Sequence, residues 1–332
     1  MEHTEPLLSV EDLSVDFRVD RKTVLHAVRN ISFTVRRGET VGLVGESGCG
    51  KSVTCMSILR LNPARRTEYP TGRILFDGQD LLTMPPKALQ AVRGSSISMV
   101  FQEPMTAMNP LFTIGDQMME ALRVHDRRME KAEARELCLD AIARVKIPNP
   151  QRIFDAYPFT LSGGMRQRIM IAMAMVTKPQ LLLCDEPTTA LDVTIQAQVL
   201  DLMNQLKAEA GTAIVFITHD LGVISEMADR VLIMYGGRIC EEAPAEELFT
   251  HPRHPYTMGL IDSRPGPDYQ GDRLKMIPGS VPTLRDMPPG CPFHNRCAHA
   301  SPACSEAFPP FEAAAPDHSV ACCRWREISR NG

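Results

Sequence analysis

The stretch "TVGLVGESGCGKS" (40–52) decides how this chain folds. Its first half is a continuous apolar run ending in glycine, the pattern of a parallel strand buried on both faces. Its second half sets Gly45, Gly50, Lys51 and Ser52 in the spacing G-x-x-x-x-G-K-[ST]. Glycines there let backbone N–H groups turn inward and approach phosphate oxygens. The following "SVTCMSILRL" has helical character, and a helix N-terminus adds partial positive charge beneath the same phosphates. In such a loop the lysine reaches the β- and γ-phosphates and the Ser52 hydroxyl ligates Mg²⁺. The phosphate-binding set is therefore Gly45, Glu46, Ser47, Gly48, Cys49, Gly50, Lys51, Ser52 and Val53.

Working outward, two more buried strands are expected at "QLLLCDE" (180–186) and "TAIVFITHD" (212–220). Apolar–polar alternation in "LLSVEDLSVDFRV" and "HAVRNISFTV" predicts antiparallel strands within the first 45 residues, and "RVLIMYGGRICEE" predicts a hairpin about Gly236-Gly237. The region 103–165 differs: it is rich in helix formers, with Leu137, Ile142 and Val145 at helical spacing, and reads as a helical insertion in an α/β core. After about residue 250 proline and glycine become frequent and periodicity fades, so a small loop-rich extension is expected over 251–332.

Two features complete a hydrolytic site. The acidic end of "LLLCDEP" delivers Asp185 to a Mg²⁺ shell and Glu186 as general base for an attacking water. "LSGGMRQR" (161–168) sets Ser162, Gly163 and Gly164 before a second helix, a second anion-ready N-terminus in one chain. One nucleotide needs only one phosphate loop, so this surface is read as completing the site of another subunit.

Bulk properties bound the reading. The 332 residues are 44% hydrophobic, enough for a sizeable core, and the net charge of −4 gives no reason to expect nucleic-acid binding. "MEHTEPLLSV" lacks the apolar segment of a signal peptide, and the longest apolar run, "IMIAMAMV" (169–176), is far short of the roughly 18 residues of a membrane span. A reducing compartment is expected, which disfavours disulfides as the reason for the ten cysteines.

With the phosphate loop, "VFQEP", "LSGGM", Asp185-Glu186, "ALD" (190–192) and "ITHD" in hand, residues 8–250 resemble an ATP-binding subunit of an ABC transporter. The resemblance implies a P-loop NTPase nucleotide-binding domain over 1–250: a RecA-like core, an antiparallel β subdomain and a helical subdomain at about 103–165. It implies that Gln102 links Mg²⁺ and the attacking water to the transporter-facing surface, and that His219 contacts the γ-phosphate. It places Asp192 at a dimer interface, where the residue is also a candidate N-cap. Phe17 in "LSVDF" would stack on adenine, a role that competes with that of an inward-facing strand aromatic. Met165 departs from the common LSGGQ signature but leaves the serine and glycine contacts intact.

"FQEPMTAMNPL", "SGGMRQR", "DEPTTALDVTIQAQ", "HPRHPYT" and "IPGSVPTL" extend the likeness to the oligopeptide/dipeptide importer branch, which handles peptides, nickel chelates and related solutes. That branch implies an ATPase at the cytoplasmic membrane face, with two permeases, an external solute-binding protein and a sister ATP-binding subunit, the two half-sites in this chain allowing a homodimer as well. A soluble ABC-type ATPase acting on nucleic acid or ribosomes is the rival; such proteins usually carry tandem cassettes or coiled-coil insertions, and this chain has neither.

"PGCPFHNRCAHASPAC" (289–304) supplies Cys291, Cys297 and Cys304, followed by Cys322 and Cys323. The spacing C-x5-C-x6-C-x17-C matches neither common zinc modules nor the ferredoxin run. Four thiolates suit tetrahedral zinc, which His294, His299 or His318 could join, or a [4Fe–4S] cluster, and scattered reduced thiols are the remaining reading. The importer branch carries an iron–sulfur cluster at matching cysteines, which implies Cys291, Cys297 and Cys304 as ligands here, with Cys322 as the fourth and Cys323 the alternative.

Overall fold

The computed structural model describes residues 5–189, 191–263 and 276–328. Ala190 of "ALD" lies outside the described residues. Two compact units form, one from Val35–Glu39 and Thr83–Phe216, the other from Leu7–Thr34, Thr40–Leu82 and the chain from Ile217 onward.

The alternating N-terminal segments form β1 (Leu8–Arg18) and β2 (Val24–Val35). The apolar run forms β3 (Thr40–Val44), buried at every residue, and the phosphate loop leads into α1 (Lys51–Ile58). Short strands β4 (Thr67–Glu68), β5 (Arg73–Phe76) and β6 (Gln79–Asp80) follow. An antiparallel sheet runs β2-β1-β5-β6, with β4 added to β1; Leu8 faces Phe76 and Val10 faces Ile74 in its register.

Beyond α2 (Pro86–Val92) comes β7 (Ile97–Val100), a strand too short and mixed to stand out in sequence. The expected helical region follows as α3 (Pro104–Ala107), α4 (Ile114–Arg123), α5 (Lys131–Arg144) and α6 (Pro150–Phe154). Thr113 and Asp116 close a capping box that starts α4. Ile142 and Val145 are buried as their spacing predicts, whereas Leu137 is 38% exposed and belongs to the outer face. Next come α7 (Gly163–Met175), β8 (Leu181–Asp185), α8 (Val193–Ala210) and β9 (Ala213–Thr218). Within this unit the strand order is β9-β8-β7, and β7 and β8 pair in parallel with Val100 against Cys184.

The other unit resumes with α9 (Leu221–Met227), β10 (Arg230–Tyr235) and β11 (Arg238–Pro244), the last two joined through Gly236 and Gly237 as expected. Then come α10 (Ala245–Thr250), α11 (Pro255–Asp262), α12 (Ala303–Glu306), β12 (Glu312–Ala315), β13 (His318–Val320) and α13 (Trp325–Ile328). The strand order here is β12-β13-β11-β10-β3, with β10 parallel to β3. The tail is thus more than loops, since β12 and β13 widen the sheet. His318 on β13 meets Glu241 on β11 at 2.8 Å with both side chains fully buried, a bond that ties the tail to β11.

Candidate functional site

The phosphate loop is folded tightly on its own lysine. Lys51 is 5% exposed, and its Nζ donates to the carbonyls of Gly45 at 2.7 Å and Glu46 at 3.1 Å. Two glycines are required here. Gly50 caps α1 in the left-handed region, at φ 104°, and a side chain at Gly45 would strike the Met234 carbonyl and the Cys49 thiol. Cys49 is buried, which pushes its thiol pKa up and keeps it a packing residue. Ser52 and Val53 occupy the first turn of α1 beside Lys51. From outside, the Glu46 N–H donates to the Tyr256 hydroxyl at 2.8 Å and the Gly237 N–H to the Cys49 carbonyl at 3.0 Å. His219 is exposed directly after β9, just ahead of Asp220, whose carboxylate caps α9. Phe17 is half-buried on β1 opposite Thr67, an arrangement compatible with either role expected of it.

In the other unit, β8 carries Asp185 at 3% exposure, and Glu186 turns out of the strand in the left-handed region, at φ 47°. A non-glycine residue in that region is held by its surroundings. Here Gln102 Nε2 donates to Glu186 Oε2 at 3.1 Å and the Thr189 hydroxyl donates to the same oxygen at 2.9 Å. The structure thereby brings Gln102 and Glu186 together. Thr189 was not anticipated; the only signal for it is its place three residues beyond Glu186 in "DEPTT".

Ser162 caps α7 by accepting from the Met165 N–H at 3.3 Å, and Asp192 caps α8 by accepting from the Ile195 N–H at 2.9 Å. Ser162, Gly163 and Asp192 are exposed. A Cβ on Gly163 would meet nothing within 4 Å, whereas one on Gly164 would press on Ile195 at 3.1 Å. The cap of α8 and the start of α7 therefore share one surface.

Cys291, Cys297, Cys304, Cys322 and Cys323 line one cavity together with His294 and His299. The Cys304 and Cys323 sulfurs lie 3.6 Å apart. Burial pushes the Cys291 thiol up to about 11 and the Cys322 thiol up to about 12. Among the described residues, no three His, Cys, Asp or Glu side chains gather closely enough to hold one metal ion, so a single tetrahedral zinc site is not formed. His318, expected as a possible ligand, is instead committed to Glu241. The cavity wall therefore mixes five thiols with the His294 and His299 imidazoles.

Comparisons with known proteins place the chain in a family. The ABC transporter family profile matches residues 28–189, and that of the oligopeptide/dipeptide transporter C-terminal region matches 240–304. The chain is 46% identical over 326 residues to the dipeptide transport ATP-binding protein DppD of Bacillus subtilis (strain 168), covering 98% of this chain and 96% of DppD. It is 46% identical over 316 residues to the oligopeptide transport ATP-binding protein OppD of Salmonella typhimurium, covering 95% and 93%. Among solved structures, the ATP-binding cassette MJ0796, a dimer bound to ADP and Pi in a post-hydrolysis state, superposes with a TM-score of 0.64 at 26% identity, over 72% of this chain and 98% of that one. CbiO1 of Clostridium perfringens, part of the cbiONQ ABC transporter complex, gives 0.63 at 26% identity, over 74% and 92%. This chain belongs to the ATP-binding subunits of the oligopeptide/dipeptide ABC transporter family.

Proposed function

We propose that the chain binds and hydrolyses ATP to power import of peptides through a membrane transporter. The observation that supports hydrolysis most directly is the Glu186 carboxylate, held at one oxygen by both Gln102 and Thr189. A carboxylate fixed in this way is set to take the proton of an attacking water, and Gln102 is set to sense its position. Lys51 exchanges its bonds to the Gly45 and Glu46 carbonyls for phosphate oxygens, and the N–H groups of residues 45–53 hold the same phosphates. His219 meets the γ-phosphate and Phe17 the adenine. Ser52, Gln102 and Asp185 would hold Mg²⁺, which supplies neutralisation of phosphate charge. The chemistry lies within 1–250, and 251–332 forms the branch-specific extension.

Ser162, Gly163 and Gly164 serve the nucleotide of a second ATP-binding subunit, for which the open space over Gly163 is the support. Two permeases, a sister subunit and an external solute-binding protein complete the assembly, with this chain peripheral on the cytoplasmic face. None of the described helices is long and apolar enough to cross a membrane. Cys291, Cys297, Cys304 and Cys322 would hold a [4Fe–4S] cluster that orders the tail.

Glu186→Gln tests the reading. ATP binding is expected to persist while phosphate release falls by about 10²-fold or more. An unchanged turnover rate removes Glu186 as the base. Co-purification of the intact chain with permeases from detergent-solubilised membranes is expected as well; recovery with ribosomes or DNA instead would favour the soluble rival.

A further inference from the structure

Glu46 is an acid inside a loop that otherwise recruits anions. Its carboxylate is held by a residue far along the chain. Arg296, from the cysteine-rich tail, grips it with two parallel bonds, Nη1 to Oε2 at 2.6 Å and Nη2 to Oε1 at 3.1 Å. The arginine side chain is 6% exposed, so the pair is shielded from solvent and salt more than a surface pair would be. Its remaining donors are also engaged. Nη1 reaches the Tyr235 hydroxyl at 3.2 Å, Nε the Pro278 carbonyl at 2.8 Å and Nη2 the Ile277 carbonyl at 3.5 Å.

The backbone of the same residue is held by the tail side too, through Tyr256. Tyr235 meets Tyr256 and Phe293 edge-on and those two tilt against each other around this point, with ring centroids 4.7 to 5.3 Å apart. Phe293 and Arg296 sit on the short turn between Cys291 and Cys297. One rigid patch therefore carries both the cysteine turn and the grip on the phosphate loop.

We propose that Arg296 is a positioning residue for the phosphate loop, which turns the Glu46 carboxylate away from the phosphates and neutralises it, so that ATP affinity depends on the folded state of the cysteine-lined tail. This rests on the assignment of residues 45–53 as the phosphate site. Without Arg296, a full negative charge would stand one residue from Gly45, where the triphosphate has to bind. The penalty grows with the charge of the ligand, which separates this role from simple support of the fold.

The experiment is equilibrium nucleotide binding to the purified full-length chain, with ATP and AMP each displacing a fluorescent ATP analogue. Arg296→Gln is expected to weaken ATP about tenfold. AMP should be little affected, and the loss should shrink as salt is raised. Adding Glu46→Gln to Arg296→Gln should recover most of the lost ATP affinity, because the orphaned charge is gone. Arg326→Gln, elsewhere in the tail, should match the unmodified chain. If Arg296→Gln does not fold, Glu46→Asp withdraws the carboxylate by one methylene without touching the tail, and is expected to weaken ATP severalfold with AMP spared. Unchanged ATP affinity, equal loss for ATP and AMP, or no recovery in the double variant would overturn the proposal. Lys51→Ala reads the underlying assignment separately: if it binds ATP as tightly as the unmodified chain, the phosphate site itself is misplaced.

Discussion

His254 illustrates how much a single buried side chain can carry. It is 1% exposed, and its Nδ1 accepts the Tyr256 N–H at 3.1 Å to start α11, so the ring has to be neutral at that nitrogen. Burial holds its pKa down to about 4, against a small opposing pull from Glu241. In the unfolded chain the imidazole titrates near about 6.5. Between those values the unfolded state binds the extra proton, so the contribution of the neutral ring is full above about 6.5 and is lost as pH falls towards 4. The shift corresponds to about 3 kcal/mol. Urea midpoints measured from pH 7.5 down to pH 4.5 should fall accordingly, and His254→Asn should flatten that slope; parallel slopes would locate the acid sensitivity elsewhere. "HPRHPYT" marks the segment in sequence, but the direction of the ring's bond, and with it the sign of the pH effect, comes only from the fold.

At the scale of elements, the caps are the most legible part of the molecule. Asp192 reads as an N-cap from its place before a long helix former run, and the structure has it accepting from the Ile195 N–H. Asp192→Ala should cost about 1 kcal/mol. In differential scanning the transition should drop by about 2–4 °C; no shift would mean that α8 is started by packing alone. The short elements were less legible. β7 has only four residues, and it is defined by its parallel register with β8, a partner more than eighty residues away. β12 and β13 were hidden for a related reason: "EAAA" and "HSV" have no strand signature of their own and become strands because β11 offers an edge to pair with.

For the whole molecule, the tail asks the largest question. The five thiols at 291, 297, 304, 322 and 323, grouped already in the sequence, line one cavity. With a proposed cluster there, Cys297→Ser should lower bound iron and visible absorbance to near background while ATP binding survives, as measured by iron quantification on the purified chain. Full retention of iron would end the assignment. The phosphate loop, the acidic strand and the signature were legible by themselves, because each is a local chemical requirement: glycines for backbone approach, a carboxylate pair at a strand end, a capped helix start. What only the tertiary structure decided was which distant groups serve them. Tyr256 and Arg296 on Glu46, and Glu241 on His318, are pairs whose spacing in the chain carries no period and no motif. A buried polar group has to find a partner wherever the fold brings one, and that is settled by packing in space rather than by order in sequence.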